Sequence, residues 1–446
     1  MSKKNEGIFS SSESAINAVP LDKRVNWVTP ATIYAGCEFC IPVIMAGSAV
    51  VASFSLRELF WIIIVSLVII TWAGNSITSY LGAVVGRPSS VIARSSFGSA
   101  QARSIVSIVT FIVGCGWWAL QTAVAGNAIS SMFGIDYTTQ YLPWAIVTII
   151  CGIIFAIPAV IGYSSMAWTD YIAVPGGLII LVWAFILVVN NMGWANVLAW
   201  DPPQTMSWIT AVGVLLGCNV GQWLILADYS RYCKPTIKDN ILMPSGIIVV
   251  GFVLFMMGGV LGAGQQKFDI VQILINVGFP VQAFLLFFIA QWTSQLVNNY
   301  TMGLSLCNLF NVDNNRGRAI LTSIATVVGI IAALSGILNH FVNFLIVTGL
   351  MFPSIAAIMV TDFFIVRDKK WVEISGWNWI ATISLIIGMF VAYYTQYIKP
   401  IGIPAVQCYI ITGVVYYGLT YIKARISPDR FTPEKWLKRG NESVTA

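Results

Sequence analysis

The sequence predicts an all-α integral membrane protein with twelve transmembrane helices. Three observations carry that prediction. Of 446 residues, 57% are hydrophobic and 9% are charged, against about 25% charged in an ordinary soluble domain. Mean hydropathy is +0.81. The apolar residues gather in runs near the roughly 20 residues a helix needs to cross a bilayer, too long for the ~10-residue alternation of a membrane β-barrel strand. The same composition excludes a soluble globular domain and a disordered or collagen-like chain. With no basic stripe, it also excludes a nucleic-acid-binding protein.

The spans, numbered 1 to 12, fall at about 28–52, 59–85, 104–132, 142–162, 168–190, 208–227, 241–263, 280–309, 319–338, 343–366, 379–397 and 405–424. Each is assigned as helix because an isolated stretch in lipid satisfies its own backbone only that way. The expected organisation is an N-tail at 1–27, a first repeat of spans 1–5 at 28–190 and a second repeat of spans 6–10 at 208–366. Spans 11 and 12 follow at 379–424, then a C-tail at 425–446. The polar N-terminus has no apolar stretch of the signal-peptide kind. Of the 24 Lys and Arg, all but Arg57, Lys267 and Lys399 fall on the side of the two tails. That asymmetry predicts cytoplasmic termini and an inner (plasma) membrane location. The net charge of +6 is then a matter of orientation and headgroup contact. The eight cysteines lie mostly in apolar runs and read as small hydrophobes. With one histidine, His340, no His/Cys metal centre is expected.

Two spans make poor continuous helices. Span 1 holds Gly36 and Pro42 around Cys37-Glu38-Phe39-Cys40-Ile41, and span 6 holds Gly217-Cys218-Asn219-Val220-Gly221-Gln222. Pro42 removes an amide donor and clashes with the preceding turn. Broken helices at matching places in two halves point to a transporter's binding site, and unwound backbone is expected in both. Span 8 carries Gln291-Trp292-Thr293-Ser294-Gln295 and Asn298-Asn299. Its neutral hard oxygens suit an alkali cation better than zinc. In span 3, Trp117 and Gln121 share a face, offering a flat ring and an amide to a planar hydrogen-bonding ligand. Glu38 is the one carboxylate placed mid-span, a functional candidate by its desolvation alone. Asp228–Arg231 and Asp362–Arg367 read as structural or gating charges at the cytoplasmic ends of spans 6 and 10. Asp136, Asp170, Asp201 and His340 are read as lying in or beside loops and receive no role. No catalytic residue is assigned: without intramembrane His, Cys–His pairs or paired carboxylates, an enzyme is not expected.

Several of these stretches carry a family resemblance. Val91-Ile-Ala-Arg-Ser-Ser-Phe-Gly98, Trp117 with Gln121, Ala227-Asp-Tyr-Ser-Arg-Tyr232, and Thr293-Ser294 with Asn299 resemble nucleobase–cation symporter family one, in pattern nearest its cytosine permeases. The resemblance implies a LeuT-like five-plus-five inverted repeat with two additional C-terminal helices. It also implies symport of sodium with a nucleobase-like substrate, with sodium as coupling ion and no other cofactor. Carried over by position, the sodium oxygens are the carbonyls of Gly36, Phe39 and Ala290 and the hydroxyls of Thr293 and Ser294. The substrate stacks on Trp117 and meets Gln121, Gln295 and Asn299, with the backbone near Cys40 and Gly221 completing the pocket. Two positions depart from the family pattern: Asn219 stands where an aromatic is usual, and Glu38 where a neutral residue is expected. Both join the candidate substrate site and suggest a ligand with more donors than cytosine. The alternative is a proton-coupled carrier, or one for an amine heterocycle (a hydantoin, allantoin or a thiamine-precursor pyrimidine), using Glu38.

Overall fold

The computed structural model describes residues 15–136, 139–265 and 280–437. All twelve apolar stretches are helical. Span 1 is two helices, 1a at Val28–Glu38 and 1b at Ile41–Val51. Span 2 is Leu56–Val85, span 3 Ser99–Met132, span 4 Tyr141–Ile161 and span 5 Tyr163–Met192. Span 6 is Trp208–Asn219 continued by Gln222–Ile225, span 7 Ser245–Gln265, span 8 Pro280–Phe310 and span 9 Asn315–Leu334. Span 10 is Phe341–Thr361 with its tail to Val366, span 11 Trp379–Ile398 and span 12 Pro404–Ile426. Among the described residues, eight helices are long and apolar enough to cross a bilayer, and the bent pair of span 1 makes a ninth.

Packing sorts spans 10, 11 and 12 into one group and most of the other helices into two more. Spans 3, 4, 8 and 9 pack on one another, while span 1b, span 2, span 6 and span 7 form a second bundle. Span 1a lies between span 7, span 5 and span 8, at the seam of the two groups. The 1–7 contact is close enough that only glycine fits. A Cβ on Gly246 would fall within bonding distance of the Ala31 carbonyl oxygen, and one on Gly258 would do the same to the Ile44 carbonyl oxygen. Small residues are how membrane helices bring backbones together where apolar burial gives little drive. Ser48 Oγ uses the approach to donate to the Gly258 carbonyl at 2.6 Å.

The charged motifs after spans 2, 6 and 10 act as structural ties. Arg94 is buried and donates to Asn308 Oδ1 at 2.9 and 2.6 Å, fastening the 2–3 loop to the end of span 8. Asp228 accepts from the Ser89 amide at 2.7 Å and Thr301 Oγ1 at 3.0 Å. Arg231 Nη2 donates to Tyr232 and Tyr300 hydroxyls at 2.8 and 2.9 Å. Asp362 pairs with Arg367 at 3.0 Å and accepts from Tyr416 at 2.8 Å.

Two expectations need correction. Span 6 is not unwound: Val220 and Gly221 keep right-handed helical dihedrals. The interruption is a tightening in which Trp223 and Leu224 N–H groups donate three residues back, to Val220 and Gly221. Two glycines without a proline leave every amide donor in place, so the helix tightens where span 1 breaks. Asp170 is not beside a loop, because span 5 begins earlier, at Tyr163, and buries it in the helix.

Candidate substrate and cation site

Span 1a ends where Phe39 (φ −72, ψ 74) and Cys40 (φ −143, ψ 156) leave helical geometry. Pro42 occupies the first turn of span 1b, a position where its missing N–H is no loss. The two halves meet at 60°. The break presents the Cys37 carbonyl sideways, where it accepts from Ser294 Oγ at 2.6 Å, and Ser294 Oγ accepts in turn from Gln121 Nε2 at 2.9 Å. One hydroxyl therefore joins spans 1, 3 and 8. Beside it opens a small cavity whose walls include Glu38, Cys40, Trp117, Gln121, Gly221 and Gln222.

The polar groups there are poorly satisfied. Glu38 is 3% exposed, and among the described contacts its carboxylate accepts only from Asn219 Nδ2, at 3.0 Å. Gln222 Nε2 donates to Cys37 Sγ at 3.4 Å. The side-chain oxygens of Gln121, Asn219 and Gln222 are buried without a partner among the described residues. Unpartnered buried acceptors are rare in native proteins and ask for an explanation. Gln121 and Gln222 line the cavity together with the Glu38 carboxylate, so its wall offers several acceptors. The aromatic contribution comes from Trp117, set edge-on against Phe344 at 5.6 Å, and from Phe352, which packs over Gly221.

A family model described as a permease for cytosine/purines, uracil, thiamine and allantoin matches residues 19–410. The chain belongs to this nucleobase–cation symporter family. The permease is therefore a multi-pass membrane transporter, not an enzyme. Solved structures share its fold. Mhp1, a nucleobase-cation-symport-1 family transporter, in a closed conformation with bromovinylhydantoin bound, matches with a TM-score of 0.78 at 18% identity, covering 96% of this chain and 99% of that one. Inward-facing Mhp1 matches with a TM-score of 0.75 at 17% identity, covering 96% and 97%. A Na+-coupled sialic acid symporter in a substrate-bound outward-open state gives 0.70 at 13% identity, covering 95% and 94%. At such identities the likeness concerns the LeuT-like fold. Comparison with curated protein sequences finds no match.

In this permease, Glu38, Cys40, Trp117, Gln121 and Gly221 line the cavity, and Asn219 adjoins it through Glu38. Gln295 and Asn299 do not line it. Gln295 Oε1 accepts from Thr122 Oγ1 at 3.1 Å and Asn299 Oδ1 from Thr326 Oγ1 at 3.1 Å. The lining face of span 8 is Ser294, Asn298 and Thr301. That face lies one residue, about 100° of helical rotation, away from the predicted one. Of the expected cation ligands, Gly36 and Thr293 approach each other across the 1a–8 contact. Ser294 is engaged with the Cys37 carbonyl, and the Phe39 ring packs on Gly177. Ala290 lies one helical turn before Ser294 in span 8. Sequence reasoning missed Asn298, although it stands one turn after Ser294 and the helical period was available to find it. It also missed Gln222, Phe352 and the Cys37 carbonyl. Phe352 had no local signal, because only the fold brings span 10 to span 6.

Proposed function

We propose that this permease imports a planar nucleobase, cytosine or a related pyrimidine or purine, by sodium-coupled symport and alternating access in the cell membrane, with both termini cytoplasmic. The observation that carries the reading is a cavity at the break in span 1, lined by Trp117 and Phe352 and by the Gln121 and Gln222 side chains, whose oxygens have no partner among the described residues. A flat heterocycle stacks on Trp117, and its ring and amino N–H groups donate to Gln121, Gln222 and Glu38. Sodium binds between spans 1 and 8 and holds the turn at Gly36–Phe39 in place. The bundle of spans 1, 2, 6 and 7 then rocks against spans 3, 4, 8 and 9. A 100 mV potential supplies about 2.3 kcal/mol per charge and a tenfold sodium gradient about 1.4 kcal/mol. One coupled ion thus sustains roughly 500-fold accumulation.

The test is competition uptake in proteoliposomes. Cytosine, purines, hydantoins, allantoin and a thiamine-precursor pyrimidine are offered in sodium or in potassium. Failure of every planar heterocycle in both salts removes the substrate class; uptake indifferent to sodium removes the coupling. Trp117→Ala should weaken binding of the best substrate about 5- to 150-fold, the roughly 1–3 kcal/mol that stacking a base on an aromatic contributes. Trp117→Phe should keep most of the affinity, and an alanine variant within twofold of wild type would remove the stacking role.

A second reading draws on Glu38, a buried carboxylate facing the cavity with one described partner. In it, Glu38 carries a proton or pairs with an amine heterocycle. Uptake that persists without sodium, follows the pH gradient and vanishes in Glu38→Gln would select the proton version.

A further inference from the structure

Asp170 has no part in the site described above. It is fully buried on span 5, and neither carboxylate oxygen has a hydrogen-bond partner among the described residues. No ion pair among the described residues includes it. Yet it stands at the seam of three helices. A Cβ on Gly36 would lie 2.5 Å from Asp170 Oδ1 and 3.2 Å from Thr293 Cβ. Glycine at 36 is therefore what admits the span 5 carboxylate to the last turn of span 1a, opposite the hydroxyl-bearing turn of span 8.

We propose that Asp170 is a direct, charged ligand of the coupling cation, in a site closed by the Gly36 turn of span 1a and by Thr293 and Ser294 of span 8. The proposal rests on the cation-coupled reading above and deepens it. The oxygens implied by the family resemblance are all neutral, whereas this chain adds one negative charge. A single carboxylate among neutral oxygens is balanced by one monovalent alkali ion; calcium-type sites gather several carboxylates. An uncompensated carboxylate in an apolar interior is strongly unfavourable. An arriving cation takes the place of the proton that otherwise neutralises the carboxyl, and the ion pair so formed adds an attraction that neutral oxygens alone do not supply. It also ties span 5 to span 1a at the seam where the two helix groups move.

The experiment is a sodium titration of thermal stability on the purified full chain, with choline chloride holding ionic strength constant, for wild type and Asp170→Asn. Wild type should be stabilised by sodium. The variant should need at least tenfold more sodium for the half-maximal shift, while binding substrate at saturating sodium within threefold of wild type. A merely structural role would lower the melting temperature equally at all sodium concentrations, and that result overturns the proposal. A sodium midpoint within twofold of wild type overturns it as well and leaves sodium coupling standing. A wild-type protein that ignores sodium overturns the coupling and this ligand together. Should the variant fail to fold, the wild-type chain gives an independent readout. A hydrophobic carbodiimide labels reachable buried carboxyls, and mass spectrometry locates the adduct. Sodium, and not potassium, should cut labelling of Asp170 at least tenfold. Labelling that sodium leaves unchanged, or none in sodium-free medium, overturns the proposal.

Discussion

Glu38→Gln should weaken substrate binding about 10- to 150-fold while leaving the substrate-free protein as stable as wild type or more so. The first effect follows from losing a charge-assisted hydrogen bond, about 1.5–3 kcal/mol. The second follows because Asn219 Nδ2 already donates to Glu38 Oε1 at 3.0 Å, and a glutamine oxygen can still accept that bond. Replacing a buried ionisable group by a neutral amide spares the empty site the desolvation cost of that group. Thermal shift with and without substrate separates the two. The ligand-induced stabilisation should shrink by about the change in RT ln(1 + [L]/Kd), and the unliganded melting temperature should not fall. A loss of unliganded stability with substrate affinity intact would make Glu38 a structural residue.

The second large effect concerns folding. Gly258→Val should destabilise the protein by at least about 1–3 kcal/mol, the usual range for overpacking a filled interior. The obstacle is the Ile44 backbone carbonyl, which cannot swing aside as a side chain would. The variant should elute as aggregate or melt well below wild type. Gly213→Ala is the control: nothing lies within 4 Å of the added methyl, and alanine favours helix over glycine by roughly 1 kcal/mol. Equal behaviour of the two variants would refute the close 1b–7 approach.

Those two glycines illustrate where sequence reading ends. Both sit in apolar runs, with nothing local to tell them apart, and only the partner helix does so. The span 1 break was legible because its cause is local: a glycine and a proline six residues apart in an apolar run. The span 6 break was overread, since glycines loosen a helix without depriving it of donors, and there it stays helical. Span 8 was recognised by its polar composition, and of its named residues Ser294 lines the cavity while Gln295 and Asn299 do not. The sequence supplies a helix's period, whereas the rotation about its axis is set by packing against spans 3 and 9.

Hydropathy and charge alone determined that this chain is helical and membrane-embedded, where its spans fall and which of them carry polar groups too expensive to bury idly. These are one-dimensional properties, because the bilayer judges each helix by its own length and composition. Tertiary structure decided which polar groups face one another. It brought Asp170 to Gly36, Phe352 over Gly221 and Ser294 to the opened carbonyl of Cys37. Those meetings depend on how close two backbones come, a distance set by the side chains missing between them and written in neither helix separately.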